Sequence, residues 1–467
     1  MIRLLPIIVL ISQLSGVRAA DALPESIDSV QHIGPLIREC TLPGETHKDD
    51  VVPRHANAIQ VAKQRWLVVY STHGYRGVDD ERSIMYQIRQ DAPDGAVLKE
   101  GFLVQGQNDW KPEGAPSAPE GKSYYKQHGH MVAFGVPKGA TLEGKQLPHA
   151  NLFAAKWRVA ARPLDIKKDY LEKTPPALAA KTQAVEWVQF RLNDREDDIE
   201  ILQPAKVLRQ KGFEKGDTFT SIPVATMNQS FCPPVPFNRD ASEWVDCNHF
   251  DRGRLAVLKH RFNAATKLYE WVETGPLLAD PKRQLSEASL LRLPDGWLVA
   301  TRTNGGGVGW VKSANPFEKW PELVVTKEPA VSAPLTAFAC PDGAVRLFTG
   351  DRDVSAQKYD RDPLYFWDVN VEKGFRVGFR QTIFDSRAAK LPIRPVVRSK
   401  VDFCELFPHH GRTQLIVFGV STRAYNHPYE GTNIPAVNAE EKGAAGVYYS
   451  KITYKKEPRA LWEFGGK

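Results

Sequence analysis

Apolar residues in this chain arrive in short runs, and almost every run is stopped by Gly, Pro, Asn or Asp. That punctuation narrows the fold more than any other feature. "RWLVVYST", "RSIMYQIRQ", "HMVAFGV", "NLFAAKWRV", "VEWVQFRLND", "RLAVLKHRF", "LYEWVE", "WLVATRT", "GVGWVKS", "AVRLFTG", "PLYFWDV", "RTQLIVFGV" and "GVYYSKITY" all read as strands bounded by turns. Helical periodicity is scarce. The best short helical candidate is 164–184, interrupted by Pro175 and Pro176. A doubly wound α/β fold would need an amphipathic helix between successive strands, so it is disfavoured.

The runs gather into units near 54–110, 124–206, 226–275, 285–326, 334–385 and 400–466, each with room for about four strands. The turn "LPDG" at 293–296 recurs as "CPDG" at 340–343 and, degraded, as "FPHHG" at 407–411. Each copy has an apolar run on either side, which marks one hairpin repeated in successive units. The expected fold is all-β, a six-bladed β-propeller of four-stranded antiparallel sheets over 51–467. Residues 21–50 form a lead-in that lies across the outside or helps close the ring. In such a ring, residues remote in sequence meet at a central channel.

The first residues, "MIRLLPIIVLISQLSGVRAADALPES", place one Arg before an apolar run and small residues at Val17, Ala19 and Ala20. This is the layout of a signal peptide covering 1–20, and it predicts a secreted or periplasmic protein. The apolar run is too short for a membrane span. Cleavage would remove Arg3 and Arg18 and lower the formal charge from +7 to +5. That mild basicity does not support nucleic-acid binding, which needs clustered Lys and Arg among exposed aromatics. It suits an acidic glycan or polysaccharide as the partner. Five cysteines are an odd count, so no complete disulfide framework exists, although Cys232 and Cys247 could bridge. Cys247 and His249 in "DCNHF" are two potential metal ligands. No second pair lies near them, so a buried Cys and a core-capping His are the favoured reading, with no metal and no cofactor.

Charge concentrates in one loop of the first unit. "RHANAIQV", "WLVVYSTHGYRGVDDERS" and "IMYQIRQDAPDG" hold Arg54, His55, Arg76, Asp79 and Asp80. Further along, "EASLLRLPDGWLVATRTNGG" sets Glu287 before the repeated hairpin and Arg302 after it, and "YDRDPLYFWDV" offers Arg361. In this order the chain resembles the sialidase superfamily, whose catalytic domain is a six-bladed propeller. The resemblance spans most of the chain and is carried by these few motifs. It implies a glycoside hydrolase in which Arg54, Arg302 and Arg361 grip a sugar carboxylate, with Arg76 as the loop arginine. Asp80 or Asp79 would be the acid, and Glu287 would stand beside the nucleophile. The family's aspartate-box turns survive only as "SANPFEKW" and "QDAPDG".

One departure concerns the nucleophile. The family places a Tyr in the sixth blade, whereas "SKVDFCELFPHHGRTQ" has Asp402 and no Tyr, and Tyr425 and Tyr429 follow in the next loop. Convergent guanidiniums suit a carboxylate because each offers a planar fork of donors. An adjacent Asp pair suits proton donation, since both resist ionising together. A second set, His55, His128, His130 and His149, could act as acid or base near neutral pH. These imidazoles resemble the machinery of β-propeller polysaccharide lyases, which remove a proton from a uronate. A non-catalytic glycan-binding propeller is the third reading, since a fold alone does not choose a function.

Overall fold

The computed structural model describes residues 23–38, 51–74, 81–110, 117–166, 170–171, 184–212, 218–219, 222–223, 227–228, 232–250, 253–331, 334–351, 353, 362–391, 400–421 and 444–464. Among them every named element is a strand. Six large antiparallel sheets follow one another along the chain. Sheet 1 is Val51–Ala62, Arg65–Gly74, Glu81–Gln90 and Val97–Val104; sheet 2 is Lys122–Val136, Leu152–Asp165, Ala184–Leu192 and Ile199–Val207. Sheet 3 begins on two short pieces, Met227–Asn228 and Val235–Pro236, separated by Pro233 and Pro234, and continues as Glu243–Phe250, Arg254–Asn263 and Leu268–Thr274. Sheet 4 is Leu285–Leu293, Gly296–Thr303, Val308–Ser313 and Val324–Thr326; sheet 5 is Thr336–Ala339, Val345–Thr349, Leu364–Asn370 and Arg376–Phe384. In sheet 6, Lys400–Leu406, Thr413–Ser421 and Gly446–Tyr454 are joined by Ile27–Ile37 from the other end of the chain.

The stretch read as a helical candidate is not helical where it is described. Leu164 and Asp165 end a strand, and Tyr170–Leu171 folds back on them. Leu164 is buried against Tyr125, so a strand partner satisfies its backbone and its side chain together. The rest of 172–183 lies outside the described residues.

Second strands carry unbroken apolar runs because both of their faces are covered. In "RWLVVY", Leu67 and Val69 pack toward sheet 2, while Val68 and Tyr70 pack toward sheet 6. Phe153 and Ala155 face sheet 1, and Leu152 and Ala154 face sheet 3. Leu298 and Ala300 face sheet 5, whereas Trp297 and Val299 face sheet 3. Ile416 and Phe418 face sheet 5, and Leu415 and Val417 face sheet 1. Consecutive sheets therefore share apolar seams, and sheet 6 shares one with sheet 1. Trp310 and Trp367 belong to the seam between sheets 4 and 5, and Trp110 is half-buried near Tyr124.

Turns repeat as well. The hairpins at 293–296, 340–343 and 407–411 join the first and second strands of sheets 4, 5 and 6. In sheets 2 to 5 the third and fourth strands are joined by turns built on a side-chain acceptor: Asn193, Asn263, Asn315 and Asn370 each receive a backbone N–H through Oδ1. Of these four, only the Asn315 turn lies in one of the motifs singled out in the sequence, "SANPFEKW"; the other, "QDAPDG", is the corresponding turn of sheet 1. Near the other end of the chain, Glu463–Phe464 pairs with Ala140–Leu142, which lies between the first and second strands of sheet 2.

One seam contains a charge cluster. Lys156 of sheet 2 and Asp246 of sheet 3 form an ion pair with almost no exposure. His260 Nε2 lies 3.1 Å from Asp246 Oδ1 and 3.2 Å from Lys156 Nζ, and Asn248 Nδ2 donates to Asp246 Oδ2 at 3.1 Å. Burial opposes the Asp246 charge, but Lys156 and His260 outweigh it and hold the carboxyl below its ordinary range. Burial and the neighbouring ammonium push the His260 pKa below its ordinary value. Removing one member strands the other, so Lys156→Met is expected to cost ~3–5 kcal/mol in urea unfolding. The double variant Lys156→Met/Asp246→Leu should recover most of that loss. Equal losses in the single and double variants would show that the pair is not the source.

Candidate functional site

The lead strands of four sheets share a break in register, near the start in sheets 1, 4 and 6 and past the middle of Lys122–Val136 in sheet 2. In sheet 1 the register slips between Arg54 and Ala56, leaving His55 as the extra residue; in sheet 6 it slips between Asp402 and Cys404. In sheet 2, His130 and Met131 fall between the paired residues Gly129–Arg158 and Val132–Lys156. In sheet 4, Glu287 and Ala288 fall between Ser286–Arg302 and Ser289–Ala300. The last two are the same bulge in different sheets. His130 and Glu287 are both left-handed at φ 50°, and the residue before each faces an arginine, Arg158 or Arg302. A left-handed non-glycine residue costs of order 1–2 kcal/mol, and such strain gathers where a side chain must be aimed for function.

At this edge Arg302 Nη1 donates to Glu287 Oε2 at 2.8 Å, with both groups partly open to solvent. Next to Arg302, three consecutive glycines, Gly305, Gly306 and Gly307, turn the chain at φ values of 91–96°. A Cβ on Gly307 would lie 2.3 Å from the Thr326 carbonyl oxygen, so the loop can close only with glycine there. At the same end of sheet 1, Arg54 sits opposite Ser71 and is buried, as are His55 and His73. The His55 ring meets His73 edge-on at 4.9 Å and His130 at 5.9 Å, and His73 Nε2 lies 2.9 Å from Ser71 Oγ. His249 of sheet 3 joins them. Burial, with His130 and Arg158 adding positive potential, pushes its pKa down to about 3. It is therefore a neutral imidazole at any physiological pH, and its Nδ1 is buried without a hydrogen bond among the described residues.

The sequence-predicted residues thus divide. The structure brings together His55 and His130, and it pairs Glu287 with Arg302. It puts Arg54 at the corresponding end of sheet 1, and Asp402 opposite Gly419 at the corresponding end of sheet 6. His128 is fully buried, with Nδ1 3.2 Å from the Arg82 carbonyl oxygen and its ring against Trp157. His149 precedes the second strand of sheet 2, at the opposite edge, with Nε2 2.8 Å from the Asp240 carbonyl oxygen. Neither of these two joins the cluster. Arg76, Asp79, Asp80, Arg361, Tyr425 and Tyr429 lie outside the described residues, as does Cys40. Cys232, Cys247, Cys340 and Cys404 are buried free thiols, so Cys232 and Cys247 do not bridge. Among the described residues no set of three His, Cys, Asp or Glu side chains is arranged to hold a metal. Among them, too, no helix is long and apolar enough to cross a membrane.

Sequence reasoning missed His73, Arg158 and His249 as a set, because they sit on second strands and meet the lead strands only through pairing. It also missed Glu405, on the lead strand of sheet 6 just past Asp402. Its side chain is buried, Oε2 has no hydrogen bond among the described residues, and burial alone pushes the carboxyl far above its ordinary range. Nearby, Cys232 Sγ donates to Ser289 Oγ at 2.8 Å, and Ser289 Oγ accepts from the Ala337 N–H.

The comparisons with known proteins add the fold and nothing finer. No family model and no curated protein sequence matches the chain. Solved structures do. Trypanosoma rangeli sialidase, in complex with sialic acid, aligns with a TM-score of 0.54 at 10% identity, covering 93% of this chain and 60% of its own. The NanB sialidase from Streptococcus pneumoniae aligns at 0.50 and 9% identity, covering 91% of this chain and 70% of its own. A protein of unknown function from Dyadobacter fermentans aligns at 0.52 and 10% identity over 92% of this chain and 100% of its own. The chain therefore has a distant sialidase-like fold, and it spans about three fifths of the trypanosomal enzyme.

Because the Glu405 carboxyl keeps its proton when folded and releases it when unfolded, it makes stability fall as pH rises through and above the ordinary carboxylate range. Glu405→Gln removes that burden. The variant is expected to melt roughly 2–4 °C above the parent at pH 8 and level with it at pH 4. A drop at both pH values would mean that the carboxyl makes a contact the amide cannot.

Proposed function

We propose that this chain is a six-bladed β-propeller whose six sheets are the blades, and that it is an exported sialidase-like glycoside hydrolase acting on a carboxylated sugar. The apolar seams between successive sheets, together with the likeness to sialidases, support the ring. In that ring the bulged ends of the lead strands face one pocket at the channel mouth. The observation that carries the reading is the Glu287–Arg302 pair on a strained bulge, at the same edge as buried Arg54 on another sheet. A guanidinium held by a carboxylate at 2.8 Å is fixed in direction, and the partly exposed Arg302 has further N–H groups with which to meet a ligand anion. Arg54, with Arg361 and Arg76 as further candidates, would complete the carboxylate grip. Asp80 or Asp79 would protonate the leaving oxygen, and Glu287 would draw the proton from a nucleophile or a water. If water is the nucleophile, the outcome is inversion.

The cluster of His55, His73 and His130 with neutral His249 favours a second reading, elimination on a uronate with imidazole as the base. The two reactions leave different products. Hydrolysis of sialyllactose or an oligoglucuronide exposes a new reducing end without ultraviolet absorbance, whereas elimination leaves an unsaturated uronate that absorbs. Under the first reading Glu287→Gln should lower kcat by ~10²–10⁴ and His130→Ala by far less. Under the second the order reverses and absorbance appears. No turnover of either substrate, with unchanged binding by Glu287→Gln, would leave a glycan-binding propeller.

A further inference from the structure

Away from the lead strands, the outer strands of sheets 2 and 3 enclose a groove of about 590 Å³. Its floor is apolar, formed by Leu268 and the edges of buried Trp187 and Trp271, and its rim carries Lys206, Arg209 and Lys211. Among the described residues one acid, Glu270, lines it, and that carboxylate is bonded to Lys211 at 2.9 Å. The chain from Arg209 to Lys211 is fastened along sheet 3 by a bridge from Gln210 to Trp271 and by the Lys211 N–H on the Trp271 carbonyl. The cations are therefore presented from a fixed backbone.

The second observation is Gln203. It is the one buried residue of the strand Ile199–Val207, set among exposed neighbours, and its side chain lines the groove. Its Nε2 is buried without an acceptor among the described residues. Across the strand pair, Gln189 makes two bonds to the Tyr269 backbone, so an amide in this position readily finds partners when they exist. An unpaired buried donor costs ~1–3 kcal/mol, and a hydrophobic residue of the same length would avoid that cost.

We infer that this groove is a second, non-catalytic binding site for an acidic oligosaccharide. Sugar C–H faces lie on the apolar floor, a ring hydroxyl or carboxylate accepts from Gln203, and carboxylates along the chain meet Lys206 and Arg209. A compact anion such as phosphate would use the cations but leave the apolar floor uncovered. The choice of ligand rests on the acidic-glycan reading above, whereas the site itself does not. Its place on the side of the ring would hold a long chain while another stretch of it occupies the channel mouth.

The test is titration calorimetry at low salt with an oligogalacturonate hexamer, with maltohexaose and inorganic sulfate as controls. Lys206→Glu/Lys211→Glu is expected to weaken hexamer binding at least tenfold while leaving turnover of a small substrate unchanged. Gln203→Met should weaken binding several-fold with an unchanged or higher Tm, which a purely structural amide would not give. Arg54→Ala/Arg302→Ala should keep hexamer binding at the groove, and losing all binding there with none lost in the groove variants overturns the inference while sparing the channel-mouth site. Equal binding of sulfate or maltohexaose, or no hexamer binding by the parent, overturns it as well.

Discussion

The structure depends on strands that have no solvent face. A strand buried on both sides cannot leave its neighbours without exposing two rows of apolar side chains at about 25 cal/mol per Å². Leu67 and Val69 bind sheet 1 to sheet 2 while Val68 and Tyr70 bind it to sheet 6, so no sheet is stable alone. The same requirement fixes register, since a slip by one residue would exchange the two seams. Bulges interrupt that register, and those in the lead strands of sheets 1, 2, 4 and 6 are where the polar side chains of the candidate site gather.

Much of this was legible in the chain. The six units follow from the spacing of apolar runs and from the recurring "PDG" turns, and each of the six sheets is built chiefly from one of them, although sheet 6 also takes Ile27–Ile37 from the expected lead-in. What the pattern concealed was the reason for it. Runs such as "WLVVY" alternate in destination rather than in polarity, which a hydropathy reading cannot distinguish. The helical reading of 164–184 went wrong because Leu164 takes its place from Tyr125 and a short returning strand, both invisible to local periodicity.

The candidate site was half legible. Glu287 and Arg302 were found because a turn motif lies between them, and the structure joins them directly. Their counterparts His130 and Arg158 have no such marker, since the sequence gives no sign that Gly129 and Ser286 begin equivalent bulges. His249 and Glu405 are chemically notable only through burial. Burial, with Arg158 adding to it, lowers the His249 pKa, and burial alone raises that of Glu405. Lys156, Asp246 and His260 show the opposite outcome, where partners let a buried carboxylate stay charged.

Sheet 6 is assembled from strands far apart in the chain, with Ile27–Ile37 laid against Gly446–Tyr454, and Glu463–Phe464 crosses to Ala140–Leu142 between the first two strands of sheet 2. A ribosome delivers the first of these strands long before its mate exists. During synthesis the nascent polypeptide must therefore carry an open, sticky strand edge until the last turn emerges. Sheet 6 is therefore finished only after Gly446–Tyr454 has been made, and its completion is a late event set by the order of synthesis rather than by local pairing.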